Sequence, residues 1–365
     1  DHSTIASFVS SMKDQIKPLF RDILLVCEQE GLLGGTFFAI DGCKLSSNAS
    51  KEWSGKIKDL KKKKEKIEDK LKALVEDHIA IDQKEQVVKG QMSVRRERQI
   101  RRLEQQADKI EKWLCENTKK IGANKKELQS NVTDNDSAKM HTSHGTVQGY
   151  NGQAIVDSKH QVIVHGEAIG KGPDNENLPP VIDGAKENLQ TIGKSQDYFE
   201  GKILTADSSY HSIPNLNKCN QEKLDAYIPD NQFRNRDERF ARRVGYRPRS
   251  KRFTFPDYRY DREKDEYICP NGKRLKRFLK SREHKGKLLR SYISKEADCR
   301  ACRLRSKCLR IKDAKRRHCT FYADASGNNI TQAMIKKIET EKGRKIYPQR
   351  IAIVEPVFAN IRVHK

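Results

Sequence analysis

Two aspartates in this chain each close a short apolar run, and small residues follow both of them. Thr36-Phe37-Phe38-Ala39-Ile40 leads into Asp41-Gly42, and Lys202-Ile203-Leu204-Thr205-Ala206 leads into Asp207-Ser208-Ser209. Each run reads as a buried strand with a carboxylate at its tip. A third acid, Glu355, lies in the last segment, Tyr347 to Ile361. Carboxylates at strand ends gather on one edge of a twisted α/β sheet. There they are hard oxygen ligands for Mg²⁺ or Mn²⁺, and two such ions about 4 Å apart clamp the attacking and leaving oxygens of a phosphodiester. An aspartate at a strand end is equally a turn former or a helix cap, so spacing alone leaves both readings open.

The elements that must bring these acids together are interrupted twice. Helical spacing of Ile5, Phe8, Val9, Met12 and Ile16 predicts a helix over 4–32, ended by Gly31, Gly34 and Gly35. Strands are expected at 36–41, 147–157, 161–169, 202–207 and 226–229. Helices are expected at 175–189, from Ser212, and at 330–345, and Glu355 is expected on a final helix. Residues 52–130 instead show heptad-like spacing: Ile67, Leu71 and Leu74, then Ile100, Leu103, Ala107, Ile110 and Leu114, with Gly90 between. This predicts an antiparallel helical hairpin, a coiled coil either solvated or gripping nucleic acid. The fold class expected is α/β: a mixed sheet with flanking helices, built from 36–51, 131–230 and 326–365. It is interrupted by the hairpin at 52–130 and by a basic, Cys-containing block at 231–325. Residues 1–35 form an N-terminal helical segment. The chain opens on Asp1 in mid-pattern, which reads as a remnant of a longer protein with an upstream DNA-binding region.

The net charge is +24, and residues 231–320 alone hold 31 Lys/Arg against 11 Asp/Glu. The hairpin region is also positive, and the rest is slightly acidic. Within the C-terminal block Phe233, Phe240, Tyr246, Phe253, Phe255, Tyr258 and Tyr260 are interleaved with Arg and Lys. That mixture suits phosphate contact plus stacking on bases, and a polyanion partner. No apolar run approaches the roughly 20 residues needed to span a bilayer, so a soluble protein is expected. The nine cysteines are odd in number and cluster late, which suits a reducing compartment. Cys269 is followed by Pro270-Asn271-Gly272, a knuckle-like turn, and Cys299, Cys302 and Cys308 follow later. These four form either a structural zinc site or a set of free thiols.

Five stretches, in order, resemble the DDE transposases of bacterial insertion sequences. They are Phe38 to Ser50, Asn131-Val132-Thr133-Asp134-Asn135-Asp136-Ser137, Gly149-Tyr150-Asn151-Gly152-Gln153-Ala154, Leu204-Thr205-Ala206-Asp207-Ser208-Ser209-Tyr210, and Arg350-Ile351-Ala352-Ile353-Val354-Glu355-Pro356-Val357-Phe358-Ala359-Asn360-Ile361. The resemblance runs from about Phe37 to the C-terminus and implies an RNase H-like fold. By it, Asp41, Asp207 and Glu355 are the catalytic, metal-binding acids, and Tyr210, Tyr347, Arg350 and Arg362 contact DNA. Tyr347, Arg350, Glu355 and Arg362 stand where the family carries a Tyr-Arg-Glu-Lys signature. Arg350 lies one residue further from Glu355 than is commonest, and Arg362 replaces Lys. The activity implied is Mg²⁺- or Mn²⁺-dependent cleavage at the element's ends, followed by attack of the freed 3′-hydroxyl on target DNA. The setting implied is a homodimeric synaptic complex in a bacterial cytoplasm, associated with the nucleoid. Two other readings stay open: an RNase H-like nuclease or resolvase without strand transfer, and a non-catalytic DNA-binding remnant.

Overall fold

The computed structural model describes residues 2–84, 94–122, 125–142, 145–244, 246, 252–253, 257–278, 282–284, 287–309, 311, 313–323 and 329–363. In chain order its elements are α1 (His2–Ser11), α2 (Ile16–Gln29), β1 (Phe37–Ser46), β2 (Ser54–Gly55), α3 (Ile57–Lys84), α4 (Val94–Glu116), β3 (Ser130–Asn131), β4 (Ala138–Thr142), β5 (Gly145–Asp157), β6 (Ile163–Ile169), α5 (Leu178–Thr191), β7 (Ile203–Ala206), α6 (Ile213–Gln221), β8 (Asp225–Tyr227), α7 (Phe233–Arg236), β9 (Arg259–Asp261), β10 (Glu266–Ile268), β11 (Arg274–Arg277), β12 (Arg282–His284), β13 (Lys287–Ser294), α8 (Glu296–Arg300), α9 (Arg305–Cys308), β14 (His318–Ala323), α10 (Ile330–Glu339), α11 (Glu341–Ile346) and α12 (Gln349–Val363). They form two compact units. One comprises Asp1–Gly42, Gln153–Glu167 and Pro173–Lys365; the other comprises Cys43–Gly152 and Ala168–Gly172.

In the first unit β6 pairs with β5, and β5, β1, β7 and β8 follow in that order. β1 and β7 run parallel, from Phe37 opposite Ile203 to Ile40 opposite Ala206. β8 continues parallel to β7, with Ile203 opposite Asp225, and α6 makes the crossover that a parallel pair requires. Strands inside a parallel sheet are covered on both faces and so read as continuous apolar runs. Phe38, Ala39 and Ile40 are accordingly at most 1% exposed. One face is packed by Leu178, Val181, Ile182, Ala185 and Leu189 of α5, all buried at helical spacing. At the entrance to β1 the buried Asp157 carboxylate accepts the Gly34 and Gly35 amides at 3.0 and 2.7 Å. Gly35 holds φ +63°, and a Cβ there would collide with the Tyr198 hydroxyl.

α5 and α6 are tied by charge as well as packing. Lys186 and Lys218 donate to the two oxygens of Glu222 at 2.6 and 2.8 Å. Burial alone would raise the Glu222 pKa, but the two ammonium groups outweigh it and hold it below its usual 4.5. A depressed carboxylate stabilises the fold above its unfolded pKa, and that contribution is lost as pH falls through the folded value. Glu222→Gln therefore lowers thermal stability by about 1 kcal/mol at pH 7, and the difference from wild type shrinks on acidification below about pH 4.5. Paired melting curves across that range check it; a pH-independent difference contradicts the assignment.

Several expectations are revised. The helix expected at 4–32 is two helices, α1 and α2, with a turn between them. The helix expected at 330–345 is broken at Thr340, whose hydroxyl accepts the Gly343 amide at 3.0 Å and so starts α11. The basic block holds an antiparallel sheet of order β12-β13-β11-β10-β9, with β14 on the other edge of β13. Its core is Tyr258, Tyr267, Leu275, Tyr292 and Cys319, with Phe253 and Tyr260 packed against them. Phe233 is buried in the main core with Phe240 against it. The aromatic interleaving thus builds cores, because a sheet with Lys and Arg on its outer face must fill its inner face with the remaining large residues. Phe255 lies outside the described residues.

In the second unit α3 and α4 pack through Leu60, Ile110 and Trp113, with Ile67 and Leu114 beside them. Lys64 near the start of α3 meets Glu111 near the end of α4 at 3.0 Å, so the helices are antiparallel. Gly90 lies outside the described residues. β4, which no expected strand covers, pairs antiparallel with the start of β5, from Ala138 opposite Gly149. A Cβ at Gly149 would strike the Leu45 carbonyl, so the Gly-Tyr-Asn-Gly stretch is set by close backbone approach. Asn131 is fully buried; its amide donates to Ser50 O and accepts from Thr133 N at 2.9 and 2.8 Å. Among the described residues no helix is long and apolar enough to cross a membrane.

Candidate active site

β1 and β7 set the site by register. Ile40 and Ala206 are partners in the parallel ladder, so Asp41 and Asp207, one residue further on, stand side by side. Asp207 follows the end of β7, but β1 continues to Ser46, so Asp41 is a mid-strand residue and not the strand tip expected. Asp207 stands at the head of the short turn Ser208–Tyr210, and its carboxylate accepts the Ser209 amide at 2.7 Å. Asp41 accepts the Gly42 amide at 2.9 Å on one oxygen and Arg350 Nη1 at 2.6 Å on the other. Burial raises the Asp41 pKa above its usual 3.8; Arg350 and the Gly42 amide work against this, and the Asp207 charge adds to it. The two carboxylates therefore feel each other.

Behind the pair a polar chain fixes their setting. The Tyr210 hydroxyl donates to Gln153 Oε1, and Gln153 Nε2 donates to Asp174 Oδ1 at 2.9 Å. The Ser209 hydroxyl reaches Asp174 Oδ2 at 3.0 Å and also Asp207 Oδ1. Tyr210 is fully buried, and its pKa is driven well up by burial and then by Asp174, Asp41 and Asp207. A phenol so placed supports the carboxylates from behind and offers DNA no surface, which corrects the expectation that Tyr210 touches DNA. Asp174 is the acid that sequence reasoning missed. Nothing in its local pattern marks it, because its link to Asp207 runs through the Ser209 hydroxyl.

In front of Asp207 a cleft is lined by Arg234, Arg243, Tyr347 and Arg350. Arg350 is a buried cation with Nε left without a partner. Tyr347 packs edge-on to Phe233, centroids 5.4 Å apart; burial raises its pKa, with Arg350 and Arg234 opposing. Asp230 also lines the cleft but is paired to Arg236, so three guanidinium groups beside Asp207 make a cleft suited to an anion that cations would bridge to that carboxylate. Arg234 and Arg243 were legible only as part of the basic block.

Glu355 does not join the pair. Among the described residues no three Asp, Glu, His or Cys side chains are grouped to hold a metal. Arg350, Ile353, Val354, Val357 and Phe358 form the buried face of α12, and Glu355 is exposed. Five residues on from Arg350, it points about 140° away around the helix. Pro356 follows it inside α12 and cannot donate to the Ala352 carbonyl four residues back. That carbonyl instead accepts Gln161 Nε2 at 2.9 Å. Arg362 is exposed at the last turn, about 18 Å along the helix from Arg350 and outside the cleft. Cys269, Cys299, Cys302 and Cys308 belong to the antiparallel sheet of the basic block and its helices.

Residues 268–365 match the family model described as a transposase DDE domain. Over those residues the chain is similar to insertion-sequence DDE transposases. The match takes in Tyr347, Arg350, Glu355, Arg362 and the four clustered cysteines, and it begins after Asp41 and Asp207. No curated protein and no solved structure matched the chain.

Proposed function

We propose that this protein is a DNA transposase whose Asp41 and Asp207 hold the divalent cations of a phosphodiester site, with Glu355 as the third acid. The observation that carries the proposal is the β1–β7 register, which sets the two carboxylates beside each other at the open end of a parallel pair. The strand order β6-β5-β1-β7-β8 supports an RNase H-like reading of the core. The donor set fits a hard cation: two carboxylates side by side, Asp41 compensated by a single guanidinium. Bound there, Mg²⁺ or Mn²⁺ would activate the attacking oxygen and offset charge on the leaving one.

The chain's own groups do the rest. Arg234 and Arg243 bind the scissile phosphate in the cleft. Arg350, which holds Asp41 at 2.6 Å, would turn to a phosphate oxygen if Asp41 were taken by a cation. Gln153 and Ser209 fix the Asp174 and Asp207 rotamers. Glu355 reaches the pair only if α12 shifts, and because Val354 and Phe358 on its opposite face are buried, that shift has to be driven by the DNA and the cations. The 3′-hydroxyl freed by cleavage then attacks a target phosphodiester in line, and the target strand's own 3′-oxygen leaves. Following a labelled 3′ end of element-end DNA with Mg²⁺ separates the readings. Strand transfer into a second duplex is the expected result. Cutting without transfer supports a nuclease instead, and DNA binding without cutting supports a non-catalytic remnant.

A further inference from the structure

The four late cysteines converge, although they come from three separate places. Cys269 opens the turn between β10 and β11. Its amide donates to Lys273 O and its carbonyl accepts the Gly272 amide, both at 2.8 Å, with Gly272 at φ +73°. Cys299 lies on α8, and Cys302 follows at its end, its amide directed back at the Cys299 carbonyl. Cys308 closes α9. All four line one cavity at the end of the β10–β11 hairpin, and none is in a disulfide. The same cavity is lined by Arg305 and Arg317. Each guanidinium is pinned to the backbone of a cysteine: Arg305 donates to Cys299 O and Arg317 to Cys308 O, both at 3.1 Å.

We propose that Cys269, Cys299, Cys302 and Cys308 bind one zinc ion as a structural site in the basic block. Soft sulfur donors in a set of four select a tetrahedral ion of this kind. Four thiolates around Zn²⁺ leave a charge of about −2, and the two guanidinium groups fastened to the ligands' own carbonyls balance it. The four sulfur atoms line the cavity without closing to ligand spacing. Cys299 Sγ contacts the Ser294 hydroxyl at 3.1 Å, and Cys308 Sγ the Tyr258 hydroxyl at 3.0 Å. Binding exchanges these weak contacts for metal bonds and releases the thiol protons to solvent. The sheet has reason to need an ion, because among the described residues its buried core cluster is small: Tyr258, Tyr267, Leu275, Tyr292 and Cys319.

Zinc content of the full chain, purified under reducing conditions, tests this. About one zinc per chain is expected. It should be lost in Cys302→Ser and Cys308→Ser and kept in Cys115→Ser, which alters an exposed cysteine of α4. Should the Ser variants fail to fold, Co²⁺ added to metal-stripped wild type gives the same answer, through intense sulfur-to-cobalt charge-transfer absorption with tetrahedral d–d bands. Wild type without zinc, and Co²⁺ without thiolate bands, overturns the proposal. So does zinc retained in both folded Ser variants. None of these outcomes touches the Asp41–Asp207 reading, which uses no residue of this cluster.

Discussion

Asp207→Asn lowers cleavage of element-end DNA by on the order of 10³-fold or more while the chain stays folded. The asparagine oxygen can still accept the Ser209 amide that Asp207 now takes, so the turn beyond β7 keeps its cap. What is lost is the negative oxygen a cation needs. Asp41→Asn loses activity to the same extent, and it lowers stability by less than Arg350→Ala does: the buried Arg350 loses its 2.6 Å carboxylate partner, but a disfavoured charge is relieved. The raised pKa of Asp41 means that its ionised form is disfavoured in the fold, by burial first and by the Asp207 charge last. A carboxylate with a raised pKa stabilises the protein below its unfolded value and loses that stabilisation as pH rises, so at neutral pH a neutral amide removes a cost. Two further variants identify the third acid. Glu355→Gln should match Asp207→Asn, whereas Asp174→Asn, acting through Ser209, should cost about 10–100-fold. The reverse order would make Asp174 the third ligand.

Arg350→Ala lowers stability by about 3 kcal/mol, because it leaves the half-buried Asp41 carboxylate without its 2.6 Å partner. It also slows cleavage, since the cleft loses a fork that can take phosphate in two bonds. Arg350→Lys should recover part of the stability and little of the rate. A third readout is specific to the exchange proposed above. Without DNA, Arg350 and a cation compete for the same Asp41 oxygen, so Arg350→Ala should bind Mn²⁺ more tightly than wild type although it turns over more slowly. If melting temperature and rate are both unchanged, Arg350 has no part in the site.

Both aspartates were legible because their cause is local: an apolar run long enough for a buried strand, then an acid, then small residues; the same pattern hid that β1 carries on past Asp41 to Ser46. The register that makes them neighbours was not, since β1 and β7 are separated by more than 150 residues. The Arg350–Asp41 pair spans 309 positions and has no local signature at all. Breaks within helical patterns were also hidden. Thr340 interrupts α10 and α11 by offering its hydroxyl as a cap, which apolar periodicity does not register. The sheet of the basic block was missed for a different reason. Its strands are short and charged outward, so Phe253, Tyr258 and Tyr260 read as a binding surface until pairing turns them inward. Glu355 was placed by resemblance, and its exposed position on α12 follows from the helix phase that Arg350 and Val354 impose.

Mn²⁺ binding, followed by electron paramagnetic resonance with element-end DNA present, tests the joint carboxylate site most directly. Saturable binding by wild type that is lost in both Asp41→Asn and Asp207→Asn is predicted. Binding of undiminished affinity and stoichiometry in either variant would contradict a site that both aspartates share.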